Sequence, residues 1–115
     1  MRAVHFSQQG DDYQLGLQPV PTPTPQAGQV LIKVDSFGLN RADILQGQGR
    51  YPAPPGHSEL PGLEVAGEVI ECGSSEDQGW LQQRVCCIVS GAGYAEYAVV
   101  DAAHLIPLPE GYSLA

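Results

Sequence analysis

Six side chains in this sequence could ligate a metal or act as sulfur or imidazole nucleophiles: Cys72, Cys86, Cys87, His5, His57 and His104. Their spacing argues against a metal centre. Cys86 and Cys87 are neighbours on a strand-like stretch, so their side chains point to opposite faces. The histidines have no ligand spacing with one another or with the cysteines. An odd number of cysteines, two of them adjacent, also makes a poor disulfide framework, and reduced thiols are the simpler account. Phosphate-binding chemistry is no better served. No Gly-x-Gly-x-x-Gly lies between a strand and a helix, and Gly91-Ala92-Gly93 precedes a strand-like segment, with no helix N-terminus to receive a pyrophosphate. It reads as a hairpin turn. A third group, Asn40 and Asp43, is spaced three residues apart just before Ile44-Leu45. That is the pattern of a helix start, with Asn40 as N-cap.

Around these positions the chain alternates strands and turns. Met1 to Ser7 and Tyr13 to Leu17 read as two strands separated by the turn Gly10-Asp11-Asp12. Pro19, Pro21, Pro23 and Pro25 cannot donate to a ladder, so they mark an extended connector or edge. A peptide-docking ligand is the other reading of such a run, and a spacer suits a β domain better. Gln29 to Asp35 places Val30, Ile32 and Val34 on one face. After the short helix from Asn40, Gly47 and Gly49 act as stops. A long loop runs from Arg50 to Gly62, and loops of this length are often functional. Leu63 to Glu71 is the clearest strand, with Gly67 marking a bend or close backbone approach. Gly73 to Gly79 reads as an exposed loop. Val85 to Val89 and Tyr94 to Val100 complete about seven strands around one short helix. The fold class is mainly β, a partly open barrel. Leu105 to Ala115 looks like the approach to another helix, with Ser113 as a possible cap.

Composition narrows the function. The 115 residues suit one domain, and such a chain buries roughly two-thirds of its unfolded surface without needing disulfides. The formal net charge is −8, with only five bases, Arg2, Lys33, Arg41, Arg50 and Arg84. A chain with no basic cluster is poorly equipped to neutralise phosphates, which argues against nucleic acid and anionic membrane as partners. No apolar run approaches the ~18 residues of a membrane span. A soluble, cytoplasmic protein is expected.

Three ordered stretches resemble the medium-chain dehydrogenase/reductase family, in particular its zinc-independent quinone-oxidoreductase branch, which includes zeta-crystallin. They are Gly38-Leu39-Asn40-Arg41-Ala42-Asp43 with Gly49-Arg50-Tyr51 after it; Leu60-Pro61-Gly62-Leu63-Glu64-Val65-Ala66-Gly67-Glu68-Val69; and Gly93-Tyr94-Ala95-Glu96-Tyr97-Ala98-Val99-Val100 leading to Ile106-Pro107-Leu108-Pro109. The resemblance implies a GroES-like, partly open β-barrel with one short helix over residues 1–115. It also implies a Rossmann domain beyond residue 115 that binds NADPH. The implied activity is hydride transfer from the nicotinamide to a quinone or enone, in a parent expected to be a homodimer, with the isolated 115 residues inactive.

Zinc-dependent relatives place Cys and His where this sequence has Asn40 and Leu63, so no zinc is expected. The resemblance also supplies the site. Asn40 and Tyr51 carry over as catalytic and cofactor-contacting groups, and Asn40, Asp43, Tyr51 and Leu63 as the substrate-binding set. An amide or phenol donor can stabilise charge developing on a substrate oxygen. Simpler roles stand beside these: Asn40 and Asp43 as a helix cap, Tyr51 packed on the prolines of its loop, Glu64 as a strand residue rather than a base. A non-enzymatic GroES-like binding or assembly module is the alternative function.

Overall fold

The alternating stretches fold as strands. The structure, a computed structural model, describes residues 1–9, 12–48, 58 and 60–114. Tyr51 and its neighbours 49–57 lie outside the described residues. β1 (Arg2–Gln9) and β2 (Asp12–Pro19) pair antiparallel as a separate two-stranded sheet. β3 (Gln29–Phe37), β4 (Glu64–Cys72), β5 (Arg84–Ile88), β6 (Tyr97–Asp101) and β7 (Ile106–Pro107) form a second sheet in the order β6-β3-β4-β5-β7. The two sheets do not close, as expected of a partly open barrel.

Period-two patterning decides which faces are buried. Val65, Gly67 and Val69 of β4 point inward, with Val85 and Cys87 of β5 and Ala98 and Val100 of β6. The core cluster is built on fully buried Val30, Ile32, Val69 and Val85. Each such side chain contributes about 1.5–3 kcal/mol by leaving water. β3 lies between β6 and β4, and Leu31 is buried alongside Val30 and Ile32, so the alternation expected for β3 breaks there. Gly67 shows the close approach that its position suggests. A Cβ there would lie 2.1 Å from the Lys33 carbonyl oxygen, next to a bulge between Val34 and Ser36.

Four local expectations change. Gly73 to Gly79 is not merely a loop, because Ser75–Trp80 forms a 3₁₀ helix, and the Ser74 hydroxyl donates to Asp77 Oδ2 at 3.0 Å. Gly91-Ala92-Gly93 is not a hairpin turn, since β5 and β6 are not neighbours in the sheet. Instead Gly91 and Ala92 take positive φ (130° and 60°), and the Ala92 N–H donates to the Leu60 carbonyl at 2.9 Å. Tyr94 precedes β6 rather than starting it. The stretch after Leu105 contributes the two-residue β7 against β5.

The cysteines are reduced and spread over β4 and β5. Burial, followed by the neighbouring Cys86, pushes the Cys87 thiol up to about 11. A thiol so protonated and only 4% exposed is inert. Maleimide at pH 8 should therefore label the half-buried Cys86 in the folded chain and reach Cys87 only in denaturant. Mass mapping that found Cys87 modified first would contradict this packing.

Candidate active site

The site begins at the first turn of α1 (Arg41–Gly47). Asn40 has the extended backbone of an N-cap (φ −126°, ψ 152°), and with Asp43 it adopts a capping-box arrangement. The Asn40 backbone N–H donates to Asp43 Oδ2 at 3.0 Å, and the Asp43 N–H donates to the Asn40 carbonyl at 3.0 Å. The Asn40 side chain makes no cap hydrogen bond. Its Nδ2 is buried without a partner, and so is Asp43 Oδ1. Asp43 is 5% exposed and is the buried charged residue among those described. A carboxylate in that position requires donors, since an unpaired buried charge is costly.

Its second donor comes from far along the chain. The Tyr94 hydroxyl donates to the same Asp43 Oδ2, and the Tyr94 ring packs on Phe37 with centroids 4.4 Å apart. Tyr94 is itself fixed at both main-chain groups. Its N–H donates to the Pro61 carbonyl at 3.1 Å, and its carbonyl accepts the Val4 N–H of β1 at 2.9 Å. Beside it the Gly93 N–H donates to the Gly62 carbonyl at 3.2 Å. Two glycines let the backbones approach this closely. At Gly62 (φ +114°) a Cβ would lie 2.3 Å from the Tyr94 nitrogen. Three stretches separated by tens of residues thus meet at one point: Asn40 and Asp43, Pro61 and Gly62, Gly93 and Tyr94.

This polar node lines a cavity of about 410 Å³, with Leu15, Leu39 and Ile44 as apolar walls and Asn40, Arg41, Asp43 and Tyr94 as its polar groups. A roomier cavity of about 500 Å³ runs past Cys86 and Ile106. Its polar lining is Ser36, Glu64, Cys86 and Cys87, without an unpartnered amide or a tyrosine–carboxylate pair. Burial raises the Tyr94 phenol far above its ordinary range. The bond to Asp43 and that carboxylate's charge add to the effect, the Asn40 backbone opposes it, and Glu64 adds a little. The phenol therefore stays protonated and acts as a donor at neutral pH. An acid whose folded pKa is raised gives stability that is complete below its unfolded pKa and is lost above it. For a tyrosine that loss starts near pH ~10. One tyrosine should accordingly resist ionisation at 295 nm until the fold opens, and Tyr94→Phe should remove both this lag and part of the alkaline instability. A lag that persisted in Tyr94→Phe would assign it to another residue.

Of the residues expected at the site, the structure brings Asn40 and Asp43 together. Leu63 is half-buried but does not line this cavity; its carbonyl accepts the Val89 N–H at 2.8 Å. Glu64 is exposed at the start of β4, with its side chain lying over Gly38. Tyr94 is the site residue that sequence reasoning misses. It stands inside a recognised motif and reads as strand, although an aromatic directly after Gly93 is an available signal. No group of three or more His, Cys, Asp or Glu among the described residues could hold a metal. No helix among them is long and apolar enough to cross a membrane.

Residues 26–110 match the family described as "Alcohol dehydrogenase GroES-like domain". The chain belongs to this family. Within it, the GroES-like domain is 38% identical over 113 residues to the quinone oxidoreductase of Mus musculus, covering 96% of this chain and 34% of that protein. The quinone oxidoreductase of Thermus thermophilus, whose structures include a complex with NADPH, superposes with a TM-score of 0.76 at 33% identity, over 99% of this chain and 34% of that one. CurK enoyl reductase gives 0.83 at 25% identity, over 99% of this chain and 37% of that one. This GroES-like domain therefore spans about a third of the length of such relatives. It has the fold of medium-chain oxidoreductases, and its sequence likeness is to their quinone-oxidoreductase branch.

Proposed function

We infer that this chain is the substrate-side domain of an NAD(P)H-dependent oxidoreductase that reduces quinones or enones without zinc. The observation that carries the reading is the buried, unpartnered Asn40 amide beside an apolar-walled cavity. An amide donor without a protein partner is suited to a carbonyl oxygen that gains negative charge during reduction, because a preorganised donor aimed at that oxygen stabilises the charge as it develops. The apolar walls match a ring or conjugated chain better than a sugar. A relative with a bound NADPH structure and an enoyl reductase of the same fold support the two acceptor classes.

The residues here fit a nicotinamide cofactor only in part, since Asn40 is the unpartnered donor and no phosphate-binding turn precedes α1. NADPH, bound mainly by a nucleotide-binding domain outside this sequence, would supply the hydride. The chain's own part is to bind the acceptor between Leu15, Leu39 and Ile44 and to direct the Asn40 amide at its oxygen. Tyr51 carries over as a second donor. Asn40 and Leu63, where relatives have Cys and His, leave too few ligands for a catalytic zinc.

The test is a chimera in which these 115 residues replace the matching third of mouse quinone oxidoreductase. It should oxidise NADPH in the presence of 9,10-phenanthrenequinone, whereas the isolated chain should neither oxidise NADPH nor bind it tightly, and neither protein should hold zinc. A folded chimera that binds NADPH yet reduces neither the quinone nor an enone such as 2-cyclohexenone would overturn the reading.

A further inference from the structure

We propose that the Tyr94 hydroxyl is the positioning group of this site, acting through Asp43 to hold the Asn40 amide in place. This rests on the acceptor-reduction reading above, but its core is a matter of geometry. One carboxylate oxygen, Asp43 Oδ2, takes both the Tyr94 hydroxyl and the Asn40 backbone N–H. The other oxygen has no donor, and the Asn40 amide nitrogen has no acceptor. Asp43 Oδ2 therefore ties the start of α1 to the barrel, and the tie runs through a residue outside the helix.

The tie is stiff from the barrel side. Tyr94 is anchored to Pro61 and to Val4 of β1 by main-chain bonds, and its ring rests on Phe37. α1 has only seven residues, too short to be stable by itself, and its capping box reaches no further than its first turn. With the hydroxyl removed, Asp43 would keep one donor instead of two, and Asn40 would be free to turn its amide. Tyr94 does not act on the acceptor itself. It sets where the donor sits, so its loss should weaken acceptor binding without unfolding the barrel.

The 115-residue chain itself supplies the readout. In ¹⁵N-labelled protein the Asn40 side-chain amide should give two sharp, distinct resonances, and duroquinone, whose ring carbons are all blocked against Cys86, should shift them. Tyr94→Phe keeps the ring and its contact with Phe37. It should leave the backbone spectrum dispersed, collapse the Asn40 amide signals towards those of a free amide, and weaken duroquinone binding at least fivefold. Asp43→Asn should reproduce that collapse with Tyr94 intact, which keeps the test decisive if the phenylalanine variant misfolds, and the double variant should be no worse than the worse single one. Tyr97→Phe, on β6, should change neither. A folded Tyr94→Phe or Asp43→Asn chain with an unchanged Asn40 amide would overturn the proposal. If the wild-type chain ordered the amide through Tyr94 but ignored duroquinone, the positioning role would stand and the quinone reading would fall.

Discussion

Gly62→Ala should lower the stability of this chain by about 3 kcal/mol or more, enough to shift its folding equilibrium over a hundredfold. Two independent costs add at this position. The backbone has φ +114°, a conformation that costs a side-chain-bearing residue on the order of 1–3 kcal/mol. The new methyl would also lie 2.3 Å from the Tyr94 nitrogen and 2.5 Å from the Gly93 nitrogen. Both are backbone atoms, so no rotamer change relieves the overlap, and separating the segments breaks the bonds from Tyr94 N–H to Pro61 and from Gly93 N–H to Gly62. Urea unfolding measures the effect directly. Gly79→Ala is the control, since nothing lies within 4 Å of its Cβ position, and it should stay within ~0.5 kcal/mol of the parent. A Gly62→Ala midpoint equal to that of the control would mean that the two segments do not cross as closely as described.

That crossing also explains which parts of this molecule can be read from sequence. The alternation of Val65, Gly67 and Val69 is local and survives in the structure, as does the helix start at Asn40 and Asp43, only three residues apart. The bond between Tyr94 and Asp43 spans 51 positions, and no periodicity reports such a contact. Tyr94 lies next to an alternating run, so strand is the natural reading, although its neighbours Gly93 and Gly62 are there to let two backbones touch. The same limit applies to Gly91-Ala92-Gly93. Two strands joined by a glycine-rich triplet suggest a hairpin, yet β5 pairs with β4 and β7, and β6 pairs with β3, because non-local pairing outweighs proximity in the chain. Ser75–Trp80 escapes a sequence reading for the opposite reason, as a short polar 3₁₀ segment has the composition of a loop. Its Ser74–Asp77 bond is the local device that sequence can suggest.

Asn40→Asp should abolish most of the activity of the chimeric enzyme while leaving an N-cap in place, and it should make stability depend on pH. Aspartate caps a helix about as well as asparagine, so a residue that served only as a cap would tolerate the change. At this site the amide's donor hydrogens would be replaced by an acceptor-only anion. A lost oxyanion donor typically costs about a hundredfold or more in rate, and the fall should appear mainly in kcat if the amide acts on the transition state. The new carboxylate would also share its surroundings with Asp43, whose Oδ1 already has no donor. Arg41, the adjacent base, is exposed and screened by solvent, so it offers little compensation. Two carboxylates in one buried site cannot both ionise easily, so at least one should bind its proton more tightly in the folded than in the unfolded chain. The folded state then holds more protons, so the variant should be closest to wild type below pH ~4 and lose stability as pH rises above it. Chemical unfolding of the 115-residue chain at pH 4 and pH 7 reads this slope, and stopped-flow NADPH oxidation by the chimera reads the rate. Normal turnover with a flat stability profile would reduce Asn40 to a helix cap, and the donor of this site would have to be sought elsewhere, with Tyr51 the next residue to test.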